Sequence, residues 1–148
     1  MNRNTYNTSV LQSEFLHKNK ILPENTASMT WCEQFDENNY PDFYIKTIPY
    51  TFYSGILTHS LPAWTLADLL NILPAKIQTG ESPDSIYSLD IRKQQFDKDT
   101  ALYQLAYGNS AGLSGSWHDM VNTGQKEELI DCCYDMIILL NKNGWLKI

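Results

Sequence analysis

The stretch LIDCCYDMIILLNKNGW, residues 129–145, decides the fold. Its apolar residues recur at the spacing of one helical face, namely at Leu129, Cys133, Met136, Ile137 and Leu140. This pattern predicts a helix from about Gln125 to Lys142. Asn143-Gly144 indicates its end, with Gly144 in a left-handed conformation and Trp145 packed back on the last turn. So wide an apolar face belongs in the middle of a core.

Two further helices are predicted from capping patterns. In LPAWTLADLLNILP, residues 61–74, Thr65 is a natural N-cap, Asp68 is three residues further on, and Pro74 ends the helix. Near the start of the chain, Ser9 and Gln12 form a capping-box pattern, which predicts a helix to about Asn19.

Four segments with strand character arrive in pairs: 28–34 with 43–48, and 87–92 with 102–107. We therefore expect one domain, residues 1–148, with residues 1–7 flexible. The predicted fold is α+β with two layers in the order α-ββ-α-ββ-α. Two hairpins form a four-stranded, largely antiparallel sheet, and helices pack on one of its faces. Residues 108–124, rich in Gly and Ser, are expected to form a long connection.

Composition limits the classes of function. The 148 residues carry a formal net charge of -6, which disfavours direct binding to nucleic-acid phosphates. The longest apolar run, 136–140, is far shorter than a membrane span, and no apolar run follows the polar start, so we expect neither membrane insertion nor a secretory signal. Three cysteines, two of them adjacent, do not suit a disulfide framework. We expect buried, reduced thiols in a cytoplasmic protein.

Trp117-His118-Asp119 is the one place where an acid/base pair and an aromatic ring are adjacent. His118 could serve as a general base and Trp117 as a stacking platform. Sequence-adjacent His and Asp rarely face each other, however, so the opposing interpretation is a solvated loop whose tryptophan folds back on the core. His17, His59 and His118 show no metal-ligand spacing, and the glycine-rich stretch 108–115 lacks the end of a phosphate-binding loop. We predict no catalytic residue, no metal and no cofactor.

The chain is also rich in tyrosine. Tyr44 and Lys46 alternate with Phe43 and Ile45, so they are expected on the sheet face that the helices leave uncovered. Tyrosines on an open sheet face suit either a protein contact or cross-strand packing.

The segments 26–31, 61–70 with 73–74, and 136–144 resemble a family of short, functionally uncharacterised proteins of intestinal bacteria and their phages and mobile elements. The resemblance extends loosely from Val10 to the end of the chain. It implies an accessory protein of a mobile-element setting, and it supplies no catalytic residues.

The sequence therefore favours a non-enzymatic interaction protein that acts through a protein partner or self-association, without direct contact to nucleic acid or membrane. Candidate contact residues are Trp117, His118, Asp119, Tyr44 and Lys46. The alternative is a small-molecule-binding or hydrolytic domain whose site lies between the Trp117-His118-Asp119 loop and the segment 49–59.

Overall fold

A computed structural model describes residues 6–35, 38, 41–46, 60–111 and 115–148. These residues form three α-helices and seven β-strands. The predicted α+β fold class is confirmed, and the strands of the described residues form two antiparallel sheets. The chain divides into two compact units, Met1–Ile72 and Leu73–Lys147, and each is described by itself. The predicted single domain stays a prediction.

The first unit combines two short helices with a three-stranded sheet. Its described elements are α1 (Val10–Lys18), β1 (Met29–Phe35), β2 (Pro41–Lys46), β3 (Ser60–Ala63) and α2 (Leu66–Ile72). The strand order is β2-β1-β3, with β1 antiparallel to both neighbours, so the first predicted hairpin is confirmed. Helix α1 packs against β3, and the predicted Ser9–Gln12 capping box is present at the start of α1.

The start of α2 is fixed by a second capping box. The Thr65 hydroxyl accepts a hydrogen bond from the Asp68 backbone N–H at 3.1 Å, and the Asp68 carboxylate accepts one from the Thr65 N–H at 2.8 Å. The same carboxylate oxygen accepts from the backbone N–H and the hydroxyl of Ser28, at 3.0 and 2.7 Å. Asp68 therefore ties the segment before β1 to the first turn of α2.

Trp64 is the largest fully buried side chain of the described residues. Its indole N–H donates to the Thr26 hydroxyl at 2.9 Å, and its backbone N–H donates to the Thr8 hydroxyl at 3.1 Å. Thr8 returns a backbone hydrogen bond to the Trp64 carbonyl at 2.8 Å, and the Leu66 N–H donates to the Tyr6 carbonyl at 2.8 Å. Within the segment expected to be flexible, Tyr6 and Asn7 are thus held beside residues 64–66, and residues 1–5 lie outside the described part.

The second unit combines a four-stranded sheet with the terminal helix. Its described elements are β4 (Lys76–Gln78), β5 (Ile86–Gln95), β6 (Ala101–Asn109), β7 (His118–Asn122) and α3 (Leu129–Lys142). The strand order is β4-β5-β6-β7, all antiparallel, which confirms the second predicted hairpin. Helix α3 packs against β6, and its buried face is made by Ile130, Cys132, Cys133, Met136, Ile137 and Leu140.

The sequence predicted the C-terminus of α3 correctly and its N-terminus wrongly. The C-terminus forms as predicted: Gly144 has φ +71°, and the Trp145 and Gly144 N–H groups donate to the Leu140 and Asn141 carbonyls at 2.8 and 3.1 Å, a Schellman motif. The predicted N-terminus at about Gln125 is wrong, because α3 begins at Leu129. Lys126 instead exchanges two backbone hydrogen bonds with Tyr103 of β6, which keeps this segment extended.

The prediction of a single four-stranded sheet made from both hairpins is wrong. Each hairpin lies in a sheet of its own, extended by β3 in the first unit and by β4 and β7 in the second. The expected long connection 108–124 is also partly strand, because β6 continues to Asn109 and β7 occupies His118–Asn122. Among the helices of the described residues, none has the length and apolar character needed to cross a membrane.

Candidate functional site

The candidate site lies on the polar face of the second unit's sheet. Along β6, Tyr103, Leu105 and Tyr107 alternate with Gln104, Ala106 and Gly108, so the two sets occupy opposite faces. Residues 105–108 are all buried, and on the second face the register places Gln104 opposite Arg92 of β5 and Gly108 opposite Asp119 of β7. Strand pairing thus places Arg92, Gln104 and Asp119, which are far apart in the chain, on three neighbouring strands.

Arg92 is the centre of the polar contacts on this face. Its two terminal nitrogens donate to both oxygens of the Asp119 carboxylate at 2.8 and 2.6 Å, and its Nε donates to Asp90 at 2.7 Å. The hydrogen bond from Arg92 holds the pKa of the Asp119 carboxyl below its ordinary value, and Asp119 in turn raises the pKa of Arg92. Because both side chains are partly exposed, this pair contributes on the order of 1 kcal/mol at most, and its main effect is to fix the position of Asp119.

Trp117 is held in place although 42% of it is exposed. Its indole N–H donates to Oδ1 of Asp119 at 2.8 Å. The ring lies against Gly108, since a Cβ on that glycine would be 2.6 Å from the Trp117 Nε1 and 2.7 Å from its Cε2. The indole of Trp117 therefore packs against the backbone at Gly108, and its N–H is held by the Asp119 carboxylate. We call Trp117, Asp119, Arg92, Asp90 and Gln104 the Trp117 face.

A depression of about 410 Å³ lies beside Asp119 in the same unit. Its lining includes side chains from the start of β5 and from both ends of the β6–β7 connection, namely Asp84, Tyr87, Asn109, Ala111, His118, Asp119 and Met120. The amide of Asn109 is used internally, because Nδ2 donates to the carbonyls of Asp84 and Ile86 at 2.9 and 3.0 Å.

The contacts of Asp119 do not favour a general base made of His118 and Asp119. A carboxylate that orients an imidazole must accept a hydrogen bond from it. Both oxygens of Asp119 already accept from Arg92, and one of them also accepts from Trp117, so the geometry assigns Asp119 to holding the indole. His118 is exposed at the start of β7.

Two of the sequence-derived candidates lie in the other unit. Tyr44 and Lys46 belong to β2, where the register pairs them with Cys32 and Thr30 of β1, both of which are buried. The side chains of Tyr44 and Lys46 lie outside the described part of the chain, so their role as contact residues stays a prediction. The segment 49–59, which the alternative hypothesis required, also lies outside the described residues.

Sequence reasoning missed Arg92 and Gly108. Arg92 is 27 positions from Asp119, and only the strand register brings the two together. A glycine inside a strand is a sign of close approach by another group, but the strand pattern ends at residue 107, so Gly108 reads from sequence as the start of the connection.

The cysteines are placed as the sequence predicted. Cys32, Cys132 and Cys133 are all buried, and no disulfide joins them. Burial raises the pKa of the Cys133 thiol to about 12 and also raises that of Cys132, whose Sγ donates to the Tyr103 carbonyl at 3.2 Å. Within the described residues, no group of three or more His, Cys, Asp or Glu side chains is placed to hold a metal ion.

We expect the thiols of α3 to resist alkylation in the folded protein. At about pH 8, a thiol with an ordinary pKa is partly ionised, whereas Cys133 is almost wholly protonated and inaccessible, so iodoacetamide should label it at least about 100-fold more slowly than in the unfolded chain. Peptide mass spectrometry after timed labelling, with protein in denaturant as the control, measures both rates. Rapid labelling of Cys132 or Cys133 in the folded protein would contradict their structural assignment.

The fold and the site define an α+β protein with two antiparallel sheets and a fixed, half-exposed tryptophan on the polar face of the second sheet. No family model matches the chain, and no curated protein or solved structure is detectably similar to it.

Proposed function

We propose that this protein is a non-catalytic interaction protein that binds a protein partner through the Trp117 face. The observation that carries the proposal is an indole that is 42% exposed and yet fixed by Gly108 and Asp119. Aromatic residues, tryptophan above all, are enriched among the side chains that dominate binding energy at interfaces. A ring that is already held in one orientation loses little further freedom when a partner covers it.

The surroundings of Trp117 also support a protein contact. A chain of polar contacts runs from the indole N–H through Asp119 to Arg92, Asp90 and Gln104, so an exposed aromatic ring lies beside polar groups, as at the centre and edge of an interface. The hydrolytic alternative is less well supported, because the Asp119 oxygens are engaged by Arg92 and Trp117. We further propose an accessory role in a mobile-element setting, from the sequence resemblance, and a cytoplasmic location, from a cysteine pattern that does not suit a disulfide framework.

Affinity capture from a lysate of the native host tests the proposal. We expect the tagged protein to enrich a partner, and Trp117→Ala to reduce that enrichment at least about tenfold, the effect of losing a central interface residue. Phe96→Ala is the matched control, since it removes another exposed aromatic ring, 55% exposed, from the same unit and should leave capture unchanged. Circular dichroism confirms that both variants are folded.

Light scattering on the purified protein distinguishes a second copy of this chain from a different protein as the partner. A dimer that dissociates with Trp117→Ala and persists with Phe96→Ala would identify a second copy of the chain as the partner. The proposal is wrong if Trp117→Ala changes neither the captured proteins nor the oligomeric state, or if nothing is enriched and the protein is a monomer.

A further inference from the structure

The depression beside Asp119 has a polar, negatively charged character that restricts what can enter it. Asp84 and Asp119 line it, and the guanidinium of Arg92 pairs with Asp119 and with Asp90, so three carboxylates stand against one cation. Tyr87 and Met120 add apolar surface to the lining, and His118 completes this side. An anionic ligand would be repelled here, and a purely apolar one would leave the carboxylates desolvated.

Asp84 is the group in the depression with unused hydrogen-bonding capacity. Its backbone is fixed on both sides, because its N–H donates to the Ser82 hydroxyl at 3.2 Å and its carbonyl accepts from Asn109 at 2.9 Å. Among the described residues, its carboxylate makes no hydrogen bond or ion pair. An exposed carboxylate on a fixed backbone is available to accept donors from another molecule.

We infer that the depression receives a lysine or arginine side chain of the protein partner that covers Trp117. The inference rests on the proposed function and names the chemistry of the partner. The cationic head binds the Asp84 carboxylate, and the alkyl stem lies along Met120 and the ring of Tyr87, which also attracts the cation. The formal net charge of -6 favours encounter with a basic surface over long range.

A titration with defined peptides tests the inference without the natural partner. The probe is a peptide of alternating glycine and arginine, and the same peptide with citrulline in place of arginine is the control, because citrulline keeps the shape and loses the charge. Binding is followed by NMR on the full chain, through the indole N–H signal of Trp117 and the backbone signals of residues 84–87 and 118–120. We expect saturable shifts with the arginine peptide and none with the citrulline peptide.

Two matched variants locate the binding. Asp84→Asn should weaken the arginine peptide about tenfold, since it removes a charge-assisted hydrogen bond. Asp99→Asn makes the same change of charge in the exposed turn between β5 and β6 and should change the affinity less than twofold. Equal effects of the two variants, equal binding of the citrulline peptide, or no saturable shift at these residues would each overturn the inference. Loss of capture by Trp117→Ala would then still support the proposed function, so the two failures are distinguishable.

Discussion

Trp64→Ala is expected to lower the free energy of unfolding of the first unit by about 3–5 kcal/mol, the usual range for truncating a fully buried large aromatic side chain. The indole has no exposed surface, so its removal leaves a cavity that the neighbouring side chains only partly fill. The variant also leaves the Thr26 hydroxyl without the indole N–H as its donor. In most molecules of the variant, the first unit should be unfolded under conditions in which the wild type is folded.

Urea denaturation followed by circular dichroism measures this change, and amide hydrogen exchange assigns it to the first unit. Trp64→Phe separates the two causes, because it keeps most of the apolar volume and removes only the hydrogen bond to Thr26; we expect a smaller loss. Leu11→Ala is the matched control in the same unit, since Leu11 is 77% exposed and its truncation should cost no more than about 0.5 kcal/mol. A loss below about 1 kcal/mol for Trp64→Ala would mean that this tryptophan does not organise the unit.

The sequence predicted those features that depend on residues a few positions apart. The capping box of α1, the Thr65 N-cap of α2 and the Schellman motif of α3 are local hydrogen-bond patterns, and each is present as predicted. The apolar face of α3 was predictable for the same reason, since it follows from a period of 3.6 residues.

Features set by pairing between distant segments could not be predicted in the same way. Strands β3, β4 and β7 have four, three and five residues, too few for a clear alternation, and each exists because a longer strand offers it an edge. The extended pairing of Lys126 with Tyr103 likewise overrides the helical pattern that begins near Gln125. The division into two sheets follows from these pairings.

The same distinction between local patterns and long-range pairing applies to the candidate site. Trp117 and Asp119 were recognisable as adjacent residues of unusual chemistry, whereas the contact that sets their role comes from Arg92 across the sheet. The residue pair His118-Asp119 suggested acid/base chemistry, and the register gave Asp119 a different partner. Which residue a carboxylate contacts is therefore a property of the sheet, and the local sequence does not specify it.

Gly108→Ala is expected to disrupt the Trp117 face. An added Cβ would meet the backbone carbonyl of His118 and the indole of Trp117, with 2.6 Å to Nε1, closer than real Cβ contacts. The indole can swing away, but the carbonyl belongs to β7, so β6 and β7 must separate locally. We expect a loss of about 1–3 kcal/mol in the free energy of unfolding of the second unit, the usual cost of overpacking.

The same variant should release Trp117. Once the ring is displaced, its N–H no longer reaches Asp119, so its NMR signal should shift and its fluorescence should become more accessible to acrylamide. Gly80→Ala is the matched control, because a Cβ there would meet the Ser85 hydroxyl oxygen at an ordinary 3.4 Å, and it should change neither stability nor the indole signal. An unshifted indole signal with unchanged stability in Gly108→Ala would show that Gly108 does not support the ring.

The double variant Gly108→Ala with Trp117→Ala identifies which of the two clashes matters. If the indole were the only obstacle, its removal would cancel the cost of the new methyl group. Because the His118 carbonyl remains in place, we expect only partial rescue, with a positive cost of Gly108→Ala persisting in the Trp117→Ala background. In capture experiments Gly108→Ala should weaken partner binding while Gly80→Ala does not, since a displaced ring has lost the fixed orientation from which the proposed affinity derives.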